Sequence, residues 1–122
     1  MTTEQKTKVL EAMHFVQDEC ARIAREHGFW DNKDNPDRLC MLIVGEVAET
    51  HEELRSGHSP TEVYYEQTSV GMKPCGVAAE LADILIRVYD HAMQLGVTNL
   101  VEVMLEKMEY NEARPYKHGR KF

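Results

Sequence analysis

Apolar positions recur along this chain at intervals of three and four, the spacing that turns one face of an α-helix toward a core. Val9, Met13, Val16, Cys20, Ile23 and His27 form the first stripe, widened by Leu10 and Ala24. Lys6, Lys8, Glu11, Asp18, Glu19, Arg22 and Arg25 cover much of the remaining surface, and His14 and His27 read as surface or flank residues. The pattern predicts a first helix from about Thr3 to His27, closed by Gly28. A second spans about Asp37 to Ser56, with Leu42, Ile43, Val47 and Leu54 on its stripe and Asn35 or Asp37 as its cap; Gly57 ends it. A third covers about Gly76 to Leu95 before Gly96, carrying Val77, Leu81, Ile84, Leu85 and Val88. A fourth starts near Thr98, a good N-cap, and runs to about Asn111 with Leu100, Val101, Met104, Leu105 and Met108. Pro115 stops it, leaving a tail over 113–122.

Two segments stand outside this periodicity. Residues 28–38 form a polar loop with Phe29 and Trp30 at its start. Those aromatics either plug a helix end, or the single Trp stacks on a planar ligand near a substrate base. Residues 57–76 are rich in turn formers and long for a helix-to-helix link, the kind of segment that closes over a site. A short helical turn near Thr61 to Gln67 is expected there, and no strand pattern of useful length. The predicted architecture is all-α: one domain over 1–122, four main helices in antiparallel packing. Runs such as Met41-Leu42-Ile43-Val44 and Ile84-Leu85-Ile86 are apolar around much of the helix, which predicts assembly into an oligomeric bundle, dimer or tetramer.

Inside the second and third stripes the chain places acids. Glu46 and Glu49 lie at i, i+3 on one, and Glu80 and Asp83 repeat that spacing on the other. Like charges a turn apart on an apolar helix repel, and burial makes that costly unless a cation sits between them. Packed antiparallel, the two pairs make a cup of four carboxylates, hard oxygen ligands suited to Mg²⁺ or Mn²⁺. Arg87 and Asp90 follow Asp83 at i+4 and i+7 on the same face, while Glu52 and Glu53 fit a solvated flank. Neither His51 nor His91 completes the Glu-x-x-His element of a di-iron bundle. There is no P-loop, no G-x-S-x-G and no Cys–His signature. That points to metal-activated water attacking a phosphate ester or anhydride, with Glu49 or Glu46 taking the proton.

Charge narrows the partners. The net charge is −7, and residues 114–122 hold Arg114, Lys117, Arg120 and Lys121 without an acid, leaving 10 basic against 21 acidic residues, −11, elsewhere. Such a body does not bind a nucleic-acid polymer, but with metal ions present it can bind a small polyanion. No apolar run reaches the ~20 residues of a membrane span, and Met1-Thr2-Thr3-Glu4-Gln5-Lys6 has no apolar signal core. Cys20, Cys40 and Cys75 are widely spaced and fit reduced thiols of a cytoplasmic protein.

Val44-Gly45-Glu46-Val47-Ala48-Glu49 followed by Glu80-Leu81-Ala82-Asp83-Ile84-Leu85-Ile86 resembles the E-x-x-E … E-x-x-D signature of MazG-like nucleotide pyrophosphohydrolases. His27-Gly28-Phe29-Trp30-Asp31 and Lys107-Met108-Glu109-Tyr110-Asn111-Glu112-Ala113-Arg114-Pro115-Tyr116 extend the likeness over most of the chain from about residue 27. The resemblance implies Mg²⁺ held by Glu46, Glu49, Glu80 and Asp83. It also implies hydrolysis of a nucleoside triphosphate to the monophosphate and pyrophosphate, with Lys107, Asn111, Arg114 and Tyr116 at the nucleotide. Two other readings compete: a non-catalytic helical dimer or interaction module, and a metal-dependent hydrolase of another phosphorylated metabolite.

Overall fold

The computed structural model describes residues 1–31 and 35–121. Helix α1 (Thr3–Glu26) opens on a reciprocal cap: the Thr2 hydroxyl accepts from the Gln5 amide at 3.1 Å, and the Thr2 amide donates to the Gln5 side chain at 2.9 Å. Gly28, with φ +85°, turns the chain out of it. Helix α2 (Pro36–Arg55) has Asn35 as its N-cap, accepting from the Arg38 amide at 2.8 Å, and Pro36 in its first turn. Helices α3 (Val77–Gln94) and α4 (Leu100–Ala113) follow, and a short 3₁₀ turn, Tyr116–Gly119, interrupts the tail beyond Pro115. Helix α4 starts one or two residues later than predicted. Asn99, not Thr98, is its N-cap, and no side-chain bond caps it. Of the predicted 28–38 loop, residues 32–34 lie outside the described residues.

The 57–76 segment corrects the all-α expectation. It holds a hairpin, β1 (Tyr64–Thr68) and β2 (Gly71–Cys75), antiparallel from Tyr64↔Cys75 to Thr68↔Gly71. Strand therefore replaces most of the helical turn expected at Thr61 to Gln67. Tyr64, Tyr65 and Thr68 favour extended backbone, and Ser69-Val70 make a two-residue connection. Thr68 Oγ1 donates to the Gly71 carbonyl at 2.7 Å and accepts from the Val70 amide at 3.3 Å, closing the turn. Both strands are short and mostly exposed, so they leave no alternation of apolar and polar residues to read. The chain is mostly helical, with this one small sheet.

Gly76 ends the segment under constraint. Its φ is +114°, and a Cβ there would lie 2.4 Å from the Glu62 carbonyl oxygen. Only glycine tolerates both, so the base of the hairpin is pressed against the start of α3.

Helix α3 packs on α2 and on α1, and α4 packs on α1. Helices α2 and α3 run antiparallel, since Glu46 meets Arg87 while Glu49 meets Glu80. Helices α1 and α4 do the same, with Lys6 paired to Glu109 and His14 to Glu102. The sheltered line of α1 keeps most of the predicted stripe, with Val9, Leu10, Met13, Cys20 and Ala24 half-buried. Gln17 and Ala21 are buried, Gln17 donating to the Tyr89 carbonyl at 3.5 Å, while Val16 and Ile23 stay about half exposed. Ala21 is small enough to let α3 approach, and the larger residues beside it fall on the flank. Phe15, Met41, Val44, Val47, Leu81 and Leu85 are likewise exposed. The chain presents 9,211 Å² of accessible surface, against about 6,700 Å² for a compact protein of its 14.1 kDa mass. Among the described residues, no helix is long and apolar enough to cross a membrane.

Candidate metal centre

The antiparallel α2–α3 pair brings the two acidic elements face to face. Glu46, Glu80 and Asp83 each offer a carboxylate oxygen within 4.8 Å of the others. Glu49, exposed, stands beside this trio and shares a hydrogen bond with Glu80. All four predicted carboxylates thus belong to one cluster, three within ligating distance of one another and Glu49 at its open side.

Glu46 is the anchor. It is only 7% exposed; the Arg87 Nε donates to its Oε1 at 2.6 Å, and its Oε2 is buried without a hydrogen-bond partner. The Glu80 Oε2 is buried and unpartnered too. Buried carboxylate oxygens are normally satisfied, because desolvating one without a partner costs about 1–3 kcal/mol or more. Two such oxygens in one cluster mark a place that a cation would complete. The donors are all carboxylate, the hard set that suits Mg²⁺ or Mn²⁺, so these residues fit the ion that the resemblance implies.

The electrostatics carry the same strain. Burial, then the hydrogen bond that the neutral Glu80 carboxyl donates to Glu49 and the charges of Glu49, Asp83 and Glu46, push the Glu80 carboxyl up to about 7. Burial and the Glu46 charge raise Asp83 as well, opposed by Arg87 and Lys73. Arg87 was visible in the sequence as the i+4 neighbour of Asp83. Lys73 was not: its charge acts on Asp83 from β2, and no helical pattern points to it. Also missed was the group next to the cup, where the Tyr64 hydroxyl donates to Glu53 (2.8 Å to Oε1, 3.0 Å to Oε2) and His58 stacks on Tyr64. Glu53 is therefore more than a solvated flank residue. Only the hairpin brings Tyr64 back to α2.

The remaining predicted residues lie elsewhere. Trp30 is half-buried, its Nε1 donating to Asp90 at 2.8 Å beneath the Arg25 guanidinium. Asp90 is seven residues past Asp83, so the indole sits about 10 Å along α3 from the cup, on the same face. That geometry agrees with a plug between α1 and α3. Lys107 and Asn111 are exposed on α4, Arg114 lies over the Tyr110 ring, and Tyr116 is exposed in the tail. Among the described residues, none of these four makes a hydrogen bond or ion pair with a cup carboxylate. Comparison with known proteins brings no match, whether to family models, to curated proteins or to solved structures.

Proposed function

We propose that the chain is a Mg²⁺-dependent nucleoside triphosphate pyrophosphohydrolase of the MazG-like kind. The observation that carries this reading is the buried, unpartnered Oε2 of Glu46 in a residue clustered with Glu80 and Asp83. A purely structural helix pair gains nothing from such a group. Glu46, Glu49, Glu80 and Asp83 hold the ion; Mn²⁺ is the alternative occupant. Bound there, it supplies charge neutralisation for the polyphosphate and acidity for water. Arg87 fixes the Glu46 carboxylate by occupying one oxygen and leaving the other without a partner. Glu49, an exposed member, accepts the proton of the attacking water. The signature motifs favour attack at the α-phosphorus, giving a monophosphate and pyrophosphate. Hydrolysis of a panel of ribo- and deoxyribonucleoside triphosphates in ¹⁸O-labelled water is expected to release pyrophosphate and to leave the label in the monophosphate. Label in orthophosphate, or a diphosphate product, would sink the reading.

The working unit is a homo-oligomer. The excess of roughly 2,500 Å² over a compact monomer is the scale of an obligate interface. The bare residues Phe15, Val16 and Ile23 on α1, and Met41, Val44 and Val47 on α2, are the kind such an interface covers. With a second copy, Lys107, Asn111, Arg114 and Tyr116 from α4 and the tail gain a route to a nucleotide held at a neighbouring cup. Light scattering is expected to give a dimer or tetramer at micromolar concentration; a stable monomer would refute the assembly. Free Cys20, Cys40 and Cys75 suit the reducing cytoplasm.

A further inference from the structure

We propose that the cavity beside the cup, between the last turns of α2 and the base of the hairpin, holds the nucleoside end of the substrate and favours bases bearing an exocyclic amino group. The inference rests on the pyrophosphohydrolase reading. The cavity measures about 230 Å³, and Glu49 and Glu80 line it as well as belonging to the cup. A nucleoside joined through its 5′ oxygen to a phosphorus at the cup can therefore extend its sugar and base toward the cavity. Its volume is below the ~300 Å³ at which pockets for drug-sized ligands begin, a scale suited to one small ring system.

Its lining decides what enters. Glu52, Glu53, Ser56, His58 and Tyr64 complete the wall, and none is Lys or Arg. The β- and γ-phosphates are thus the wrong occupants, since carboxylates repel them. His58 is already committed, with Nδ1 2.9 Å from Glu62 and Nε2 3.6 Å from Glu53. What remains is a pair of flat rings, His58 and Tyr64, stacked with centroids 4.7 Å apart, and a row of acceptors.

Glu53 is the best placed of those acceptors. The Tyr64 hydroxyl holds its carboxylate still and His58 Nε2 stands 3.6 Å from it, yet these two partners leave about half of its four lone-pair sites open. An ionised carboxylate accepts and cannot donate. It therefore welcomes an exocyclic amino group and repels a carbonyl oxygen in the same place. Cytosine and uracil differ in that way at nearly constant shape, and so do adenine and hypoxanthine.

The test is kcat/KM for CTP against UTP, and for ATP against ITP, with Mg²⁺. The wild-type protein is expected to favour the amino-bearing base of each pair by about tenfold. Glu53→Gln, whose amide both donates and accepts, should bring the ratios close to one, and Tyr64→Phe, which releases Glu53, should narrow them. Equal values in the wild-type protein overturn the proposal, as do ratios that neither variant changes. If no nucleotide in the panel is hydrolysed, the pyrophosphohydrolase reading fails by itself. The cavity is then judged by titrating cytidine and uridine while following the His58 ring by NMR. Tighter cytidine binding that Glu53→Gln removes sustains the cavity assignment. Equal binding, or none, overturns it.

Discussion

Glu49→Gln is expected to slow pyrophosphate release by about 10³-fold at saturating Mg²⁺ and substrate, within the range that removal of a general base produces. Glu49 is an exposed carboxylate hydrogen-bonded to Glu80, and it borders both the cup and the cavity beside it. The amide has nearly the same shape but neither accepts a proton nor binds a hard cation as tightly. Losing one of four clustered negative charges also relieves repulsion in the metal-free protein. The variant should therefore keep its helical circular dichroism and melt no lower than wild type in EDTA. A variant that turns over at the wild-type rate would remove Glu49 from the mechanism. Low activity with a collapsed helical signal would mean instead that Glu49 is needed for folding.

The second large effect is on stability. Glu80 has a folded pKa of about 7 against an ordinary 4.5, and Asp83 is shifted the same way. A carboxyl raised by folding stabilises the native state below its unfolded pKa, and that contribution is lost as pH rises through the folded value. In EDTA the melting temperature should therefore fall between about pH 4.5 and 8. His58, raised chiefly by its hydrogen bond to Glu62, adds a slope of the same sign. Glu80→Gln separates the two, because it should remove the larger part of the fall and leave the His58 part. Mg²⁺ at one hundred times its dissociation constant should add about 2.7 kcal/mol, or roughly 10 °C for a chain of this size. Its effect should be greater at pH 8 than at pH 5, since the ligands must be deprotonated. Differential scanning calorimetry across pH, with and without the ion, reads both. A melting temperature indifferent to Mg²⁺ at pH 8 would remove the cation from this site.

The helices were legible because each carries its own signals. Gly28 and Gly57 close α1 and α2, Asn35 caps α2, and the stripes of α2 and α3 place Glu46 with Glu49 and Glu80 with Asp83. Antiparallel packing of those two helices then brings the pairs together, as the spacing predicts. The hairpin was not legible. Its strands pair mainly with each other, so neither buries an alternating face, and the order of Tyr64 and Glu53 is set by a contact eleven residues apart. The α1 stripe was legible in part. Val9, Met13 and Cys20 are sheltered as the spacing predicts, whereas this chain leaves Val16 and Ile23 about half exposed. Lys73 escaped because a strand residue acts on a helix site only once the fold exists.

The close approach at Gly76 bears on where this chain can change length. Glu80 stands four residues after Gly76, and each residue inserted or removed between them would swing it about 100° around α3. A single such change would carry Glu80 off the face it shares with Glu49. The Glu62 carbonyl, lodged where a Cβ of residue 76 would be, fixes that starting point from outside the helix pair. At the far end of the hairpin only the turn's own hydrogen bonds through Thr68 are made among the described residues, and Val70 is 96% exposed. Natural versions of this fold should therefore vary at the tip over 69–70, in length as well as sequence, while the count from 76 to 83 stays fixed.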